Sequence, residues 1–124
     1  MAKISKVRPV ILSARYEDPS RNMEALLHLP GGYRSCGMVE ITLEDGTTGL
    51  GEGYLAVFAP EVFSALIRLL EPYLVGKDVH EHKRLMKQLS VVTGYWSLQG
   101  AAQHAISAID IALFDCRSKL EGSP

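Results

Sequence analysis

Gly49, Gly51 and Gly53 alternate with Leu50, Glu52 and Tyr54, so a strand over these residues has one face of bare backbone. Glycine weakens a strand because it has no side chain to pack, and three in register point to a bulge or to close approach by a second backbone or a ligand. The stretch before it reads as the partner strand of a hairpin. Cys36 to Leu43 puts Val39, Ile41 and Leu43 on one face with Glu40 and Thr42 opposite, and Asp45-Gly46 follows at once. That dipeptide is a strong hairpin signal, because a type I′ turn needs positive φ at both central residues.

Upstream, Lys3 to Tyr16 alternates, with Val10, Leu12, Ala14 and Tyr16 on one side and Ile11, Ser13 and Arg15 on the other. Pro9 has no amide to donate, which assigns this strand to an edge or a bulge. Glu17 to Arg34 holds Asp18-Pro19-Ser20 and Pro30-Gly31-Gly32 with no sustained period, and reads as a long loop. Loops of that length in compact domains are uncommon and are usually functional or disordered.

After Phe58 the period changes. Pro60 suits a first helical position, Glu61 suits the positive end of the helix dipole, and Val62, Phe63, Leu66, Ile67, Leu70, Tyr73 and Leu74 form an apolar stripe. Pro72 is expected to kink or tighten the last turn, with Gly76 beyond the end. Asp78 and Glu81 make an acidic capping box for a second helix, whose inner stripe is Leu85, Met86, Leu89 and Val92. Thr93 to Ser97 is a break, with Ser97 a cap for a third helix. The elements are strands at about 3–16, 36–43 and 47–54 and helices at about 60–75, 79–91 and 98–120, three strands and then three helices in one α+β domain.

The third helix carries Leu98, Ala101, Ala102, Ala105, Ile109, Ala112, Leu113 and Cys116 on one stripe, with Ile106, Ile111 and Phe114 outside it. A helix that only covers a sheet needs one stripe, so the excess asks for a second partner. Gln99, Gln103, His104, Ser107 and Asp110 interrupt the stretch, which favours a protein interior over lipid. Thirteen Lys and Arg against fourteen Asp and Glu leave a net charge of −1, so no global field recruits nucleic acid or an anionic membrane. Cys36 and Cys116, eighty positions apart, do not form a secreted disulfide pattern and read as reduced thiols of a cytoplasmic protein.

Self-contained chemistry is scarce. The run Gly49 to Gly53 has G-x-G-x-G spacing and does not open directly into a helix, so it lacks the context of a phosphate-cradling fingerprint. His80 and His82 diverge on a helix and cannot share a metal as an i, i+4 pair does; with Glu81 they read as a solvated helix start. His104 reads as a satisfied interior histidine or as facing a further partner. Asp110 and Asp115 are five apart and do not pair; Asp110, among Ile109, Ile111 and Ala112, is expected to have a hydrogen-bond or cationic partner. Ser13, Ser20 and Ser107 lack the flanking pattern of an activated nucleophile. No catalytic and no metal-binding residue is assigned.

Three stretches carry a family resemblance: Val39-Glu-Ile-Thr-Leu-Glu-Asp-Gly-Thr-Thr-Gly-Leu-Gly-Glu52, Leu74-Val-Gly-Lys-Asp78, and Ala108-Ile-Asp-Ile-Ala-Leu-Phe-Asp115 followed by Lys119, Gly122 and Pro124. Together, in this order and spacing, the chain resembles the N-terminal domain of the mandelate racemase and muconate lactonizing enzyme group of the enolase superfamily. Phe114 stands where Trp is usual, and Ser118-Lys119 replaces the common Gly-Lys. The resemblance implies a three-stranded antiparallel meander and a three-helix bundle that cap a C-terminal (β/α)-barrel, whose strand ends carry the chemistry. It implies an enzyme that removes the proton α to a carboxylate with the help of Mg²⁺, such as an acid-sugar dehydratase, racemase or cycloisomerase, with metal ligands and base on the barrel.

By position, the resemblance maps two loops that close over a small carboxylic-acid substrate onto Glu17–Arg34 and Tyr54–Ala59. Arg21, His28, Tyr33, Arg34 and Tyr54 are then the substrate-binding candidates, since a cation pairs with a carboxylate and an aromatic ring walls a pocket. The chain alone is expected to be inactive, and its parent to form homo-oligomers. The rival reading is a stand-alone, non-catalytic binding or oligomerisation module that covers the extra apolar face of its third helix by self-association.

Overall fold

The computed structural model describes residues 2–16, 32–97 and 100–123. Strands β1 (Ile4–Arg15), β2 (Tyr33–Leu43) and β3 (Thr48–Gly53) form an antiparallel sheet in the order β1-β2-β3. Helices α1 (Leu55–Phe58), α2 (Pro60–Leu70), α3 (His82–Gly94) and α4 (Ala101–Leu120) follow, with short 3₁₀ turns at Glu71–Tyr73 and Val79–Glu81. This is the α+β meander and helical layer expected from the sequence.

Pairing sets the faces. Val7, Ile41 and Gly49 lie abreast, as do Pro9, Val39 and Gly51, and this side of the sheet takes the helices: α4 packs on β3 and β2, α2 on β1. Phe63, Ile67 and Leu70 of α2, Leu85 and Leu89 of α3, and Ile109 and Leu113 of α4 close the core against Val7, Val39 and Ile41. Pro9 lies on the edge strand β1, as its missing amide requires, although a register shift falls between Ile4 and Lys6. The other face carries Arg8 and Glu40, paired at 2.7 Å, with Leu50 beside them in register.

The bare face of β3 meets a second backbone. A Cβ on Gly51 would run into the Ala108 carbonyl, and one on Gly49 into the Ala112 carbonyl and Cys116 Sγ. Ala108, Ala112 and Cys116 recur every fourth residue, so α4 presents its smallest stripe where β3 presents no side chain. Cys116 donates to the Ile41 carbonyl at 3.6 Å, and burial pushes its thiol up to about 11, which keeps it protonated and structural.

The free edge of β3 is blunted by the same helix. Leu50 N–H donates to Asp115 Oδ2 at 2.9 Å, and Lys119 Nζ donates to the Thr48 carbonyl at 2.6 Å and lies 3.1 Å from Asp115 Oδ2. Groups left open on such an edge invite a strand from another chain. The Leu50 amide, and after it Lys119, hold the Asp115 carboxyl below its ordinary value. A carboxyl depressed in the folded state contributes stability above its unfolded pKa, about 4, and loses it as pH falls through the folded value. Asp115→Ala is therefore expected to cost about 1 kcal/mol at pH 7 and to flatten the acid limb of the stability profile. Urea melts from pH 7 to pH 2 check this; parallel profiles for the two proteins would remove Asp115 from the account.

Several local expectations are corrected. Gly46 has φ 90°, whereas no non-glycine residue among those described has positive φ, so Asp45 does not adopt a type I′ turn. Gly46 N–H donates to the Leu43 carbonyl at 3.0 Å and Leu43 N–H to the Thr47 carbonyl at 2.8 Å, which is a type I turn closed by a glycine bulge. Asp45 contributes through its side chain, accepting from Thr47 N–H at 2.9 Å. Residues 54–59 are not a plain loop: they contain α1, with Ala56 and Val57 buried. The helix expected over 60–75 stops at Leu70, and the tightening expected at Pro72 is a 3₁₀ turn at Glu71–Tyr73, since Pro72 cannot donate. Val62, read as part of the inner stripe, is 47% exposed. Helix α4 begins at Ala101, after Gly100, while Ser97 Oγ accepts from Ala102 N–H at 3.1 Å and so still serves the helix start.

Candidate functional site

β1 ends, β2 begins and β3 ends toward the same side of the molecule. β1 leaves at Arg15, paired with Tyr33, and β3 leaves at Gly53, paired with Gly37. The β1–β2 ribbon thus runs four residues past the last β3 pair, roughly 13 Å at strand rise. Tyr16 N–H donates to the Gly32 carbonyl at 2.8 Å and continues the ribbon by one more rung.

Tyr33 and Arg34, expected in the loop, belong to β2, which starts three residues earlier than alternation suggested. Backbone pairing with Arg15 and Ala14 decides this, and a side-chain period cannot report where a partner strand ends. Successive strand residues point to opposite faces, so Tyr33 lies toward the helical side and Arg34 toward the open side. On that open side Cys36 Sγ donates to Glu52 Oε1 at 3.5 Å. Burial, then the Glu52 hydrogen bond, raise the Cys36 thiol, while Arg34 acts in the opposite direction.

Tyr54 stands at the foot of the ribbon. It caps α1 in helical geometry, is 58% exposed, and meets Phe58 edge-on with ring centroids 5.2 Å apart. Beside it lies an open pocket of about 290 Å³ lined by Glu52, Gly53, Tyr54, Gln103, His104 and Ser107. Of the five substrate-binding candidates the structure brings Tyr54 to this pocket. Tyr33 and Arg34 sit farther out on the ribbon and do not line it, and Arg21 and His28 lie outside the described residues. Glu52, Gln103, His104 and Ser107 were not singled out as ligand contacts from the sequence. The helical period was the available signal for two of them, since His104 and Ser107 are one turn apart.

Other titratable groups serve the fold. His82 is buried, not part of a solvated helix start: Nε2 lies 2.5 Å from Asp110 Oδ1, and the ring meets Phe114 edge-on at 4.4 Å. The 3₁₀ turn at Val79–Glu81 turns His82 inward and leaves His80 outside, where its amide and ring nitrogen both reach Asp78. The expected partner of Asp110 is therefore His82. Among the described residues no three His, Cys, Asp or Glu side chains converge as a metal site, and no helix is long and apolar enough to cross a membrane. On the outer side of α4, Ile111 and Phe114 are 50% and 55% exposed, whereas Ile106, expected with them, is buried against the core.

Residues 32–124 match the family model described as the mandelate racemase/muconate lactonizing enzyme N-terminal domain. A D-galactonate dehydratase family member of Salmonella virchow (strain SL491) is 36% identical over 106 residues, which cover 83% of this chain and 24% of that protein. The crystal structure of the 3,6-anhydro-D-galactonate cycloisomerase from Zobellia galactanivorans superposes with a TM-score of 0.78 at 34% identity, covering 96% of this chain and 29% of that one. A mandelate racemase/muconate lactonizing protein from Paracoccus denitrificans PD1222, solved in complex with magnesium, gives a TM-score of 0.74 at 28% identity over 98% of this chain and 28% of that one. The chain thus spans about a quarter of the length of the curated relatives it matches.

Proposed function

Because this chain belongs to the mandelate racemase/muconate lactonizing enzyme family, as its N-terminal domain, we propose that it caps the active site of a cytoplasmic enzyme that removes the proton α to the carboxylate of an acid sugar. The observation that carries this reading is the family match over residues 32–124 combined with a chain only about a quarter as long as its dehydratase relatives. The reacting groups are then supplied by a (β/α)-barrel C-terminal to residue 124, and this chain supplies closure and selectivity. Exposed Ile111 and Phe114 on α4 give that barrel an apolar face to cover.

Within this chain, Tyr54 forms a pocket wall, and Tyr33 and Arg34 reach the substrate from the ribbon tip, as do Arg21 and His28 from the segment between β1 and β2. Closure of these groups excludes water from the carboxylate and fixes which substituents fit. The described residues do not themselves fit a Mg²⁺ ion, which wants several oxygen ligands at one point. If bound, the ion belongs to the barrel, where it acts as a Lewis acid.

The test is to express residues 1–124 with and without the coding sequence that follows, and to follow deuterium exchange α to the carboxylate over a panel of aldonic acids with and without Mg²⁺. The longer protein is expected to exchange and the 124-residue chain to show none. Exchange by the short chain alone would overturn the division of labour.

A further inference from the structure

We infer that His104, with Gln103 and Ser107 of the first two turns of α4, reads the hydroxylated part of the substrate, a specificity role that deepens and rests on the capping function proposed above. The pocket they line, about 290 Å³, is close to the lower size of a small-molecule site. Its composition selects chemistry. No Lys or Arg lines it, so nothing in it pairs with the carboxylate end of an acid, and the Glu52 carboxylate at its edge is turned to Cys36 on the open face of the sheet. An imidazole, a carboxamide, a serine hydroxyl and the Tyr54 phenol each offer both a donor and an acceptor. An alcohol also donates and accepts at one atom, so a run of hydroxyls can satisfy this set where a carboxylate or an alkyl chain cannot.

The pocket is also held firmly. His104 and Ser107 project from a helix whose Ala105, Ile106 and Ala108 are buried, and α4 is fixed against β3 where Gly51 meets the Ala108 carbonyl. One wall is therefore α4 and the other is the exit of β3 with Tyr54. A rigid polar wall discriminates hydroxyls well, because a site group left unpaired by a missing hydroxyl is penalised.

The experiment uses the full-length enzyme and steady-state kinetics on an aldonic acid and on analogues each lacking one hydroxyl. His104→Ala is expected to raise KM for the complete substrate about tenfold, the worth of roughly one good hydrogen bond, with a smaller change in kcat. The preference over one particular deoxy analogue should collapse in the same variant, and His104→Gln, which keeps a donor and an acceptor, should restore part of it. Gln103→Leu and Ser107→Ala, at exposed positions, carry the same readout if His104→Ala does not fold. Unchanged KM and unchanged deoxy preference in variants with the parent's melting temperature would overturn this role while leaving the capping function standing. A parent enzyme that exchanges no proton on any acid would overturn both.

Discussion

Gly51→Val is expected to destabilise the domain by about 3 kcal/mol, the upper end for overpacking, and to abolish any function that depends on the register of α4 against β3. The reason is local. The first atom of any side chain at this position would occupy the space of the Ala108 carbonyl, with the Ala112 amide 2.8 Å away. Backbone cannot swing aside as a side-chain end can, so the helix must lift, and with it the Ala112 and Cys116 contacts to Gly49. Gly94→Ala is the matched control, since a Cβ there meets nothing within 4 Å and the backbone φ is ordinary. It is expected to be neutral or to stabilise by up to about 1 kcal/mol. Urea titrations of both variants decide the matter; equal midpoints for Gly51→Val and the parent would show that β3 and α4 are not in the contact described.

Phe63→Ala is expected to cost about 3–5 kcal/mol, as a large aromatic lost from a closed core does. Phe63 is fully buried, and its ring lies against both Gly37 and Gly53, the last pair of the β2–β3 ladder. It fills the room that two glycines leave, and neither glycine has a side chain to move into the hole. Its loss should therefore loosen the sheet end beside Tyr54 more than the Leu43–Thr48 turn. Hydrogen exchange resolved by residue checks this: protection should fall at Gly53 and Gly37 before it falls at Leu43. Phe63→Leu, which keeps most of the volume, should recover over half of the lost stability. A cost below about 1 kcal/mol for Phe63→Ala, under the usual range for such deletions, would mean that the ring does not hold this end.

Much of the architecture was legible because it rests on short-range periodicity. The alternation of Val39, Ile41 and Leu43 against Glu40 and Thr42, and the change of period after Phe58, depend on which faces are wet and which are dry, and this needs no knowledge of the partner. Boundaries and turn geometry were less legible. Tyr33 and Arg34 became strand residues through β1, Pro72 shortened α2 within a run that stays apolar beyond it, and Asp45 acts through its carboxylate where the dipeptide pattern suggested its backbone. The site was least legible. Tyr54 reached the pocket, but Glu52, Gln103, His104 and Ser107 are brought to it from two stretches some fifty residues apart, and no local pattern records that meeting.

The amino-acid sequence by itself determined that one face of the third strand would be bare backbone and that a helix apolar over more than one face would follow. Those are properties of residue type and spacing. Which object filled the bare face, a backbone or a ligand, was decided only by tertiary structure, where Ala108, Ala112 and Cys116 of α4 close on Gly49 and Gly51. The same contact decided the fates of the two acids and the histidine on that helix. It aimed Asp115 at the edge of β3, Asp110 at His82 and His104 into the pocket, because a rigid helix seated on bare backbone has one rotation about its axis that fits.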